Sequence, residues 1–283
     1  MIKDLLWVEK YRPKEFGDVI GLNYKFDSNL PNILLAGTCG IGKTTLAKII
    51  CNKLAGDVLS MNASSERGID VIRGKVKEFA STRGMDISKP KVIHLDEADG
   101  LTPDAQNVLR NLIEEYSNNT RFIFTCNNVG KIIEPIRSRC MEINLSNPDK
   151  HAILSKLDEI AKLEEVDAKV VPEIIESNYP DMRSMIMSLQ HYKMFGVVPT
   201  THKIMAGEVY QLIMDGKFID ARKKWIAGDA DYKRLLIDIY ELMSPEEIIK
   251  NIDELAQANY EMAMGAFPEI SFAAAMKRIS MKR

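Results

Sequence analysis

The sequence predicts an α/β protein, a parallel sheet interleaved with helices and followed by helices alone. Two observations carry this. Apolar runs short enough for buried strands recur at residues 33–36, 57–62, 92–96, 121–126 and 141–145, and helical apolar spacing separates most of them. Beyond Ser146 no such run returns, and amphipathic helical patterns fill the chain to its end. With 283 residues the chain is long enough for two or three domains. Composition shifts at Asn147-Pro148-Asp149 and again from Gly196 to Thr201, which divides it into 1–146, 147–195 and 196–283.

A formal net charge of −2 supplies no bulk attraction for a polyanion, so any nucleic-acid contact must be a local patch. The four cysteines, Cys39, Cys51, Cys126 and Cys140, lack paired C-x-x-C spacing. That argues against a zinc site and fits a reducing cytoplasm, with all four read as buried thiols. No apolar run approaches the length needed to span a bilayer, and Met1-Ile2-Lys3-Asp4 lacks a signal-peptide layout.

Residues 1–32 read as an irregular arm whose Trp7, Val8, Tyr11, Phe16 and Ile20 need something to pack against. Ile33-Leu34-Leu35-Ala36 is a buried strand, Gly37-Thr38-Cys39-Gly40-Ile41-Gly42-Lys43-Thr44-Thr45 a glycine-rich loop, and the residues from Leu46 a helix. In that context the loop reads as a phosphate cradle. Glycines at 37, 40 and 42 let the backbone N–H groups around Ile41 and Thr45 converge on an anion at a helix N-terminus, Lys43 neutralises β and γ phosphates, and Thr44 ligates Mg²⁺.

A second strand at 57–62 leads to a helix over about 69–80, with Ile69, Ile72, Val76 and Phe79 on one face and Arg73 and Lys77 on another. Arg67, Arg73, Lys75, Lys77, Arg83, Lys89 and Lys91 face only Asp70, Glu78 and Asp86 in this window. On charge alone a solvated helix face accounts for it. The strand Val92–Leu95 ends in Asp96-Glu97-Ala98-Asp99. A phosphate loop needs an acid at the end of a neighbouring strand to hold Mg²⁺ and a carboxylate to polarise water, roles assigned to Asp96 and Glu97, while His94 reads as a core histidine. Thr102 caps a helix to about Tyr116 that buries Ala105, Val108, Leu109, Leu112 and Ile113, with Gln106, Arg110 and Glu114 on its other side. The strand 121–126 ends at Asn127-Asn128. Asn127 there either orients water or the γ-phosphate, or belongs to a turn.

Taken together, these motifs resemble the AAA+ ATPase subunits of sliding-clamp loaders, both the replication factor C small subunits and the main ATPase subunit of tailed-phage clamp loaders. The resemblance covers residues 7 to about 193. It rests on Val8-Glu9-Lys10-Tyr11-Arg12-Pro13, the phosphate loop, Ser65-Glu66-Arg67-Gly68-Ile69, Asp96-Glu97-Ala98-Asp99, Lys131-Ile132-Ile133-Glu134-Pro135-Ile136, Ser138-Arg139-Cys140 and Pro180-Asp181-Met182-Arg183. It implies an AAA+ sheet domain, a small helical lid and a helical collar. It also implies ATP and Mg²⁺ as ligands, and a pentameric assembly that opens a sliding clamp and loads it on primer-template DNA. Arg139 then looks like an arginine finger for the ATP of an adjacent subunit, Arg183 like a sensor in the lid, and Val8, Tyr11, Arg12 and Ile20 like an adenine pocket. Arg73, Lys75 and Lys77 become DNA contacts, Gln106 and Arg110 a relay to the ATP site, and the loop Phe79 to Ile87 a clamp contact.

The chain departs from the family in having only nine residues between Gly21 and Pro31, where a longer helix is usual, and in Thr38, Cys39 and Ile41 of the phosphate loop. The collar is placed by position and helicity. Another DNA-directed AAA+ motor, of the branch-migration or helicase-loading type, is the alternative. An RNA helicase is excluded by the absence of a second sheet domain. An unfolding machine would carry an aromatic pore loop after the second strand, which residues 62–68 lack. A non-catalytic scaffold would not need Lys43, Asp96, Glu97 and Arg139.

Overall fold

The computed structural model describes residues 6–27, 29–66, 68–84, 86, 88–199, 202–227 and 231–282. They form two compact units, one of residues up to Ile175 together with Tyr179–Met194, the other of Glu176–Asn178 with the chain from Phe195 onward.

The first unit holds five parallel strands, β1 (Ile33–Ala36), β2 (Val58–Asn62), β3 (Lys91–Asp96), β4 (Thr120–Cys126) and β5 (Met141–Asn144), in the order β2-β3-β4-β1-β5. The runs of β1, β3 and β4 are nearly continuous apolar stretches because both faces of the central strands are covered, whereas the edge strands β2 and β5 each bury a single residue, Met61 and Ile143. Alternation along each strand sorts the side chains. Leu34, Ile93, Leu95, Phe122 and Phe124 pack with Ile72, Val76, Leu109 and Leu112 on one face. Ile33, Leu35, Val92 and Ile123 pack with Leu46, Ala47 and Ile50 of α2 (Lys43–Leu54) on the other. A short helix α1 (Trp7–Lys10) precedes the sheet.

After β2 the helix expected over 69–80 is interrupted. Short α-helical pieces α3 (Ile69–Val71) and α4 (Lys77–Ser81) flank a π-helical turn, Ile72–Val76. Ile72 and Val76 are buried as expected, while Arg73, Gly74, Lys75 and Lys77 lie exposed on the bulge. Gly74, a poor helix former, sits at its centre. Arg67, and Met85 and Ile87 of the segment read as a clamp contact, lie outside the described residues.

Helix α5 (Pro103–Glu115) starts as its capping chemistry dictates, the Thr102 hydroxyl accepting from the Ala105 N–H with Pro103 in the first turn. Expected on the outer side of this helix, Gln106 is instead only 2 % exposed. Its Nε2 donates to the Leu101 and Lys131 carbonyls at 3.3 and 2.9 Å, and its Oε1 accepts from the Ile133 N–H at 2.9 Å. Periodicity places a residue on a face; a loop folding back over that face buried it. A one-turn helix α6 (Glu134–Arg137) leads into β5.

The lid comprises α7 (Lys150–Leu163), α8 (Val171–Asn178) and α9 (Met182–Phe195), with Asp149 capping α7 through the Ala152 N–H. The described residues of the second unit form five helices: α10 (His202–Met214), α11 (Phe218–Ala227), α12 (Tyr232–Leu242), α13 (Pro245–Ala263) and α14 (Pro268–Met281). Its core centres on Trp225, fully buried and edge-on to Phe218 and Phe272. A capping box of Ser244 and Glu247 starts α13. No helix among the described residues is long and apolar enough to cross a membrane.

Candidate nucleotide-binding site

One cavity of about 380 Å³ opens at the carboxyl ends of the strands, inside the first unit. Its floor is the loop between β1 and α2, where Gly40 and Gly42 have φ of 74° and 102°. A β-carbon at Gly40 would also run into the Asp181 carboxylate at the start of α9, so backbone conformation and close approach both require glycine there. Cys39, Gly40, Ile41, Gly42, Lys43, Thr44 and Thr45 line the cavity; Gly37 is not among its lining residues, and its carbonyl serves instead as an anchor. Lys43 Nζ donates to the carbonyls of Gly37 and Thr38 at 2.8 and 2.6 Å. Burial pulls its pKa below the ordinary lysine value, so its ammonium lacks part of its water shell where an anion would compensate it. The expectation of four buried thiols is corrected at Cys39, which is exposed on the loop between Gly37 and Gly40, and at Cys140, which is half-buried.

Opposite the loop stand Asp96 and Glu97. The strand order refines how they arrive: β3 is separated from β1 by β4, so the acids come from the next strand but one. Thr44 Oγ1 donates to Asp96 Oδ1 at 2.8 Å. Thr125 of β4, missed in the sequence, donates its hydroxyl to the same oxygen and accepts from the Glu97 N–H at 3.0 Å. Only its place in an apolar run ending at the site could have drawn attention to it. Glu97 has a φ of 55°, an uncommon conformation for a residue with a β-carbon and one that clusters at functional sites. His94 is a core histidine, 1 % exposed, with the Ser60 hydroxyl 2.9 Å from Nδ1, and burial keeps its pKa low.

Asn127 lines the cavity, while its neighbour Asn128 does the work of the turn by accepting from the Gly130 N–H at 2.9 Å. From the amino-terminal arm, Val8, Tyr11, Arg12 and Ile20 all line the same cavity. The arm packs on the lid: Lys10 Nζ pairs with Glu164 at 2.6 Å, the Tyr11 hydroxyl donates to the same carboxylate, and the Trp7 N–H donates to Gln190 at 3.0 Å. Lid residues Pro148, Ile160, Met182 and Ile186 supply walls that the sequence did not reveal, and Arg183 projects from the first turn of α9 into the lining.

The remaining candidates lie elsewhere. Arg139 is not among the cavity-lining residues; its Nε donates to Glu114 Oε1 at 2.8 Å and its Nη1 to the Pro135 carbonyl at 2.6 Å. Arg110 bonds Asn111 on its own helix, and Lys75 pairs with Glu66.

The cavity fits a nucleoside triphosphate on its own features. Among the described residues Arg12 Nε is buried with no hydrogen-bond partner, although its Nη2 pairs with Glu9; a partly desolvated lysine stands over glycine turns, and apolar side chains such as Ile20, Ile160 and Ile186 share the lining. Among the described residues no cluster of three or more His, Cys, Asp or Glu could hold a metal alone. A hydroxyl and one carboxylate, Thr44 and Asp96, suit Mg²⁺, which takes few protein ligands and completes its shell with phosphates and water.

Residues 33–147 match the ATPase family associated with various cellular activities (AAA). The chain is 35% identical to a replication factor C small subunit of Sulfolobus acidocaldarius, over 99% of this chain and 97% of that one. It is 36% identical to that of Saccharolobus solfataricus, over 99% and 96%. Structures of Thermotoga maritima RuvB share the fold, one with a TM-score of 0.59 at 18% identity over 96% of this chain and 90% of that one. An AAA nucleotide cradle and whole-length likeness to these relatives place the chain in the replication factor C small-subunit family, the ATPase subunits of sliding-clamp loaders.

Proposed function

We propose that this chain binds ATP with Mg²⁺ in the cavity above the sheet and works within a pentamer that opens a sliding clamp, loads it on primer-template DNA and releases it on hydrolysis. One observation supports this most. The phosphate loop, Asp96, Glu97, Asn127 and Arg183 surround a single cavity, whereas Arg139 lies off it, tied to Glu114, which supports its acting on the nucleotide of a neighbouring subunit. Residues 1–146 act as the nucleotide-binding domain, 147–195 as its lid and 196–283 as the collar.

In this reading Gly40, Ile41, Gly42 and Thr45 cradle phosphates through their N–H groups and Lys43 neutralises them, while Gly37 anchors Lys43. Val8, Tyr11, Arg12 and Ile20 hold the base. Thr44 and Asp96 hold Mg²⁺, which when bound spreads the charge of the β and γ phosphates. Glu97 accepts a proton from the attacking water, Asn127 orients that water, and Arg183 ties the lid to the γ-phosphate. Arg73, Lys75 and Lys77 follow the DNA backbone through its phosphates, without reading bases. Gln106 joins α5 to the loop after Asn127 and Arg110 lies one turn on, a route from DNA to the site.

The test is steady-state ATP hydrolysis by the assembled subunit with primed DNA, with clamp, and with both. The rate rises most with both together; a rate indifferent to the pair overturns the clamp-loading reading while leaving the ATPase intact.

A further inference from the structure

We infer that Thr125 is a positioning residue for hydrolysis, acting through Asp96 and Glu97; this rests on the roles proposed for those two carboxylates. Because β4 lies between β1 and β3, Thr125 stands between the phosphate loop and the acids, opposite Leu35 and one residue beyond the Phe124–Leu95 pair. Its side chain is 1 % exposed.

The direction of each bond follows from the partners. A carboxylate only accepts and a backbone N–H only donates, so the single hydroxyl proton of Thr125 goes to Asp96 Oδ1 and a lone pair receives the Glu97 N–H at 3.0 Å. One hydroxyl thereby clamps two consecutive residues, the first a proposed metal ligand and the second a glutamate in the left-handed region. The Thr44 hydroxyl also donates to Asp96 Oδ1, at 2.8 Å. Thr44 has a second duty toward Mg²⁺, whereas the hydroxyl of Thr125, although the residue lines the cavity, is taken up by its bonds to Asp96 and to the Glu97 N–H and serves as a fixed support. Losing it frees Glu97 to relax out of its left-handed backbone, carrying the carboxylate away from the water it must polarise.

The experiment compares Thr125→Val, which keeps shape and removes the hydroxyl, with Thr125→Ser, which keeps the hydroxyl. Turnover is measured in the assembled protein, ATP affinity separately with a fluorescent analogue, and thermal unfolding for each variant. Thr125→Val lowers kcat by about 10- to 100-fold, the scale of a small misplacement of a catalytic group, and leaves ATP affinity within about 3-fold. Thr125→Ser restores most of the rate. Glu97→Gln is run alongside, and adding Thr125→Val to it lowers the rate by less than Thr125→Val does alone, because part of the threonine's effect passes through Glu97.

A kcat within about 2-fold of wild type in Thr125→Val overturns the inference, as does a parallel loss of rate and affinity that serine does not rescue. Persistent turnover in Glu97→Gln overturns the proton-acceptor role instead, which separates the two failures. Should Thr125→Val fail to fold, the kcat-against-affinity split is read from Thr125→Ala with the same criteria.

Discussion

The cysteines show how local surroundings separate residues of one type. Burial pushes the Cys51 and Cys126 thiols up to about 11 and Cys140 up to about 12, while Cys39 lies exposed at the cavity. At pH 8 an alkylating reagent therefore labels Cys39 first, and ATP slows that labelling, as mass spectrometry of the intact chain will show. Labelling of Cys140 ahead of Cys39 contradicts this arrangement. The same shifts set a pH dependence. An unfolded chain releases thiol protons near pH 9, and the folded one holds them to about 11 or 12. Stability from these groups is thus full below pH 9 and falls as pH rises toward 11, which chemical unfolding across pH 8–11 measures.

At the scale of elements, the bulged helix after β2 carries the most testable chemistry. A π-helical turn inside a helix is uncommon and often sits at functional positions, and here it presents Arg73 and Lys75 outward while Ile72 and Val76 hold it to the core. Lys75 is engaged by Glu66, which leaves Arg73 and Lys77 as the pair to change together. Replacing both with alanine weakens DNA-stimulated hydrolysis and reduces the slope of log affinity against log salt by about 2, one for each lost phosphate contact. An unchanged slope assigns them to a solvated face. Element α5 is the complementary case: Gln106 fastens one end of it to the loop after β4, and Glu114 fastens the other to Arg139.

For the molecule as a whole, the proposed trans role of Arg139 makes the sharpest prediction. Held by Glu114 and the Pro135 carbonyl, it lies off the cavity of its own subunit. Arg139→Ala subunits, inactive alone, therefore hydrolyse ATP in mixed oligomers wherever a wild-type neighbour supplies the guanidinium, a contribution of about 10³-fold or more in rate. Titrating wild-type against variant subunits measures this. Activity that only follows the wild-type fraction, with no neighbour effect, removes the trans role.

Much of this was legible in residue order. The strand, glycine loop and helix at 33–54, the acids ending β3, the Thr102 cap and the five helices from residue 202 all arise from local rules: alternation, helical spacing, capping and glycine conformations act over a few neighbours. Arg139 and Arg183 drew their meaning from family likeness, since a lone arginine carries no local signal. What required the folded chain depends on distant segments meeting. Gln106 is inside because a loop 25 residues away covers it. Cys39 is outside, on the loop between Gly37 and Gly40. The lid residues Ile160 and Ile186 wall a cavity whose floor lies more than a hundred residues earlier. Thr125 joins Asp96 to Glu97 because strand order, which no single strand encodes, inserts β4 between β1 and β3. Local patterning settles which elements form, since its energies act between near neighbours; the assignment of buried polar groups to one another waits for packing, where each donor must find an acceptor or bear the cost of desolvation.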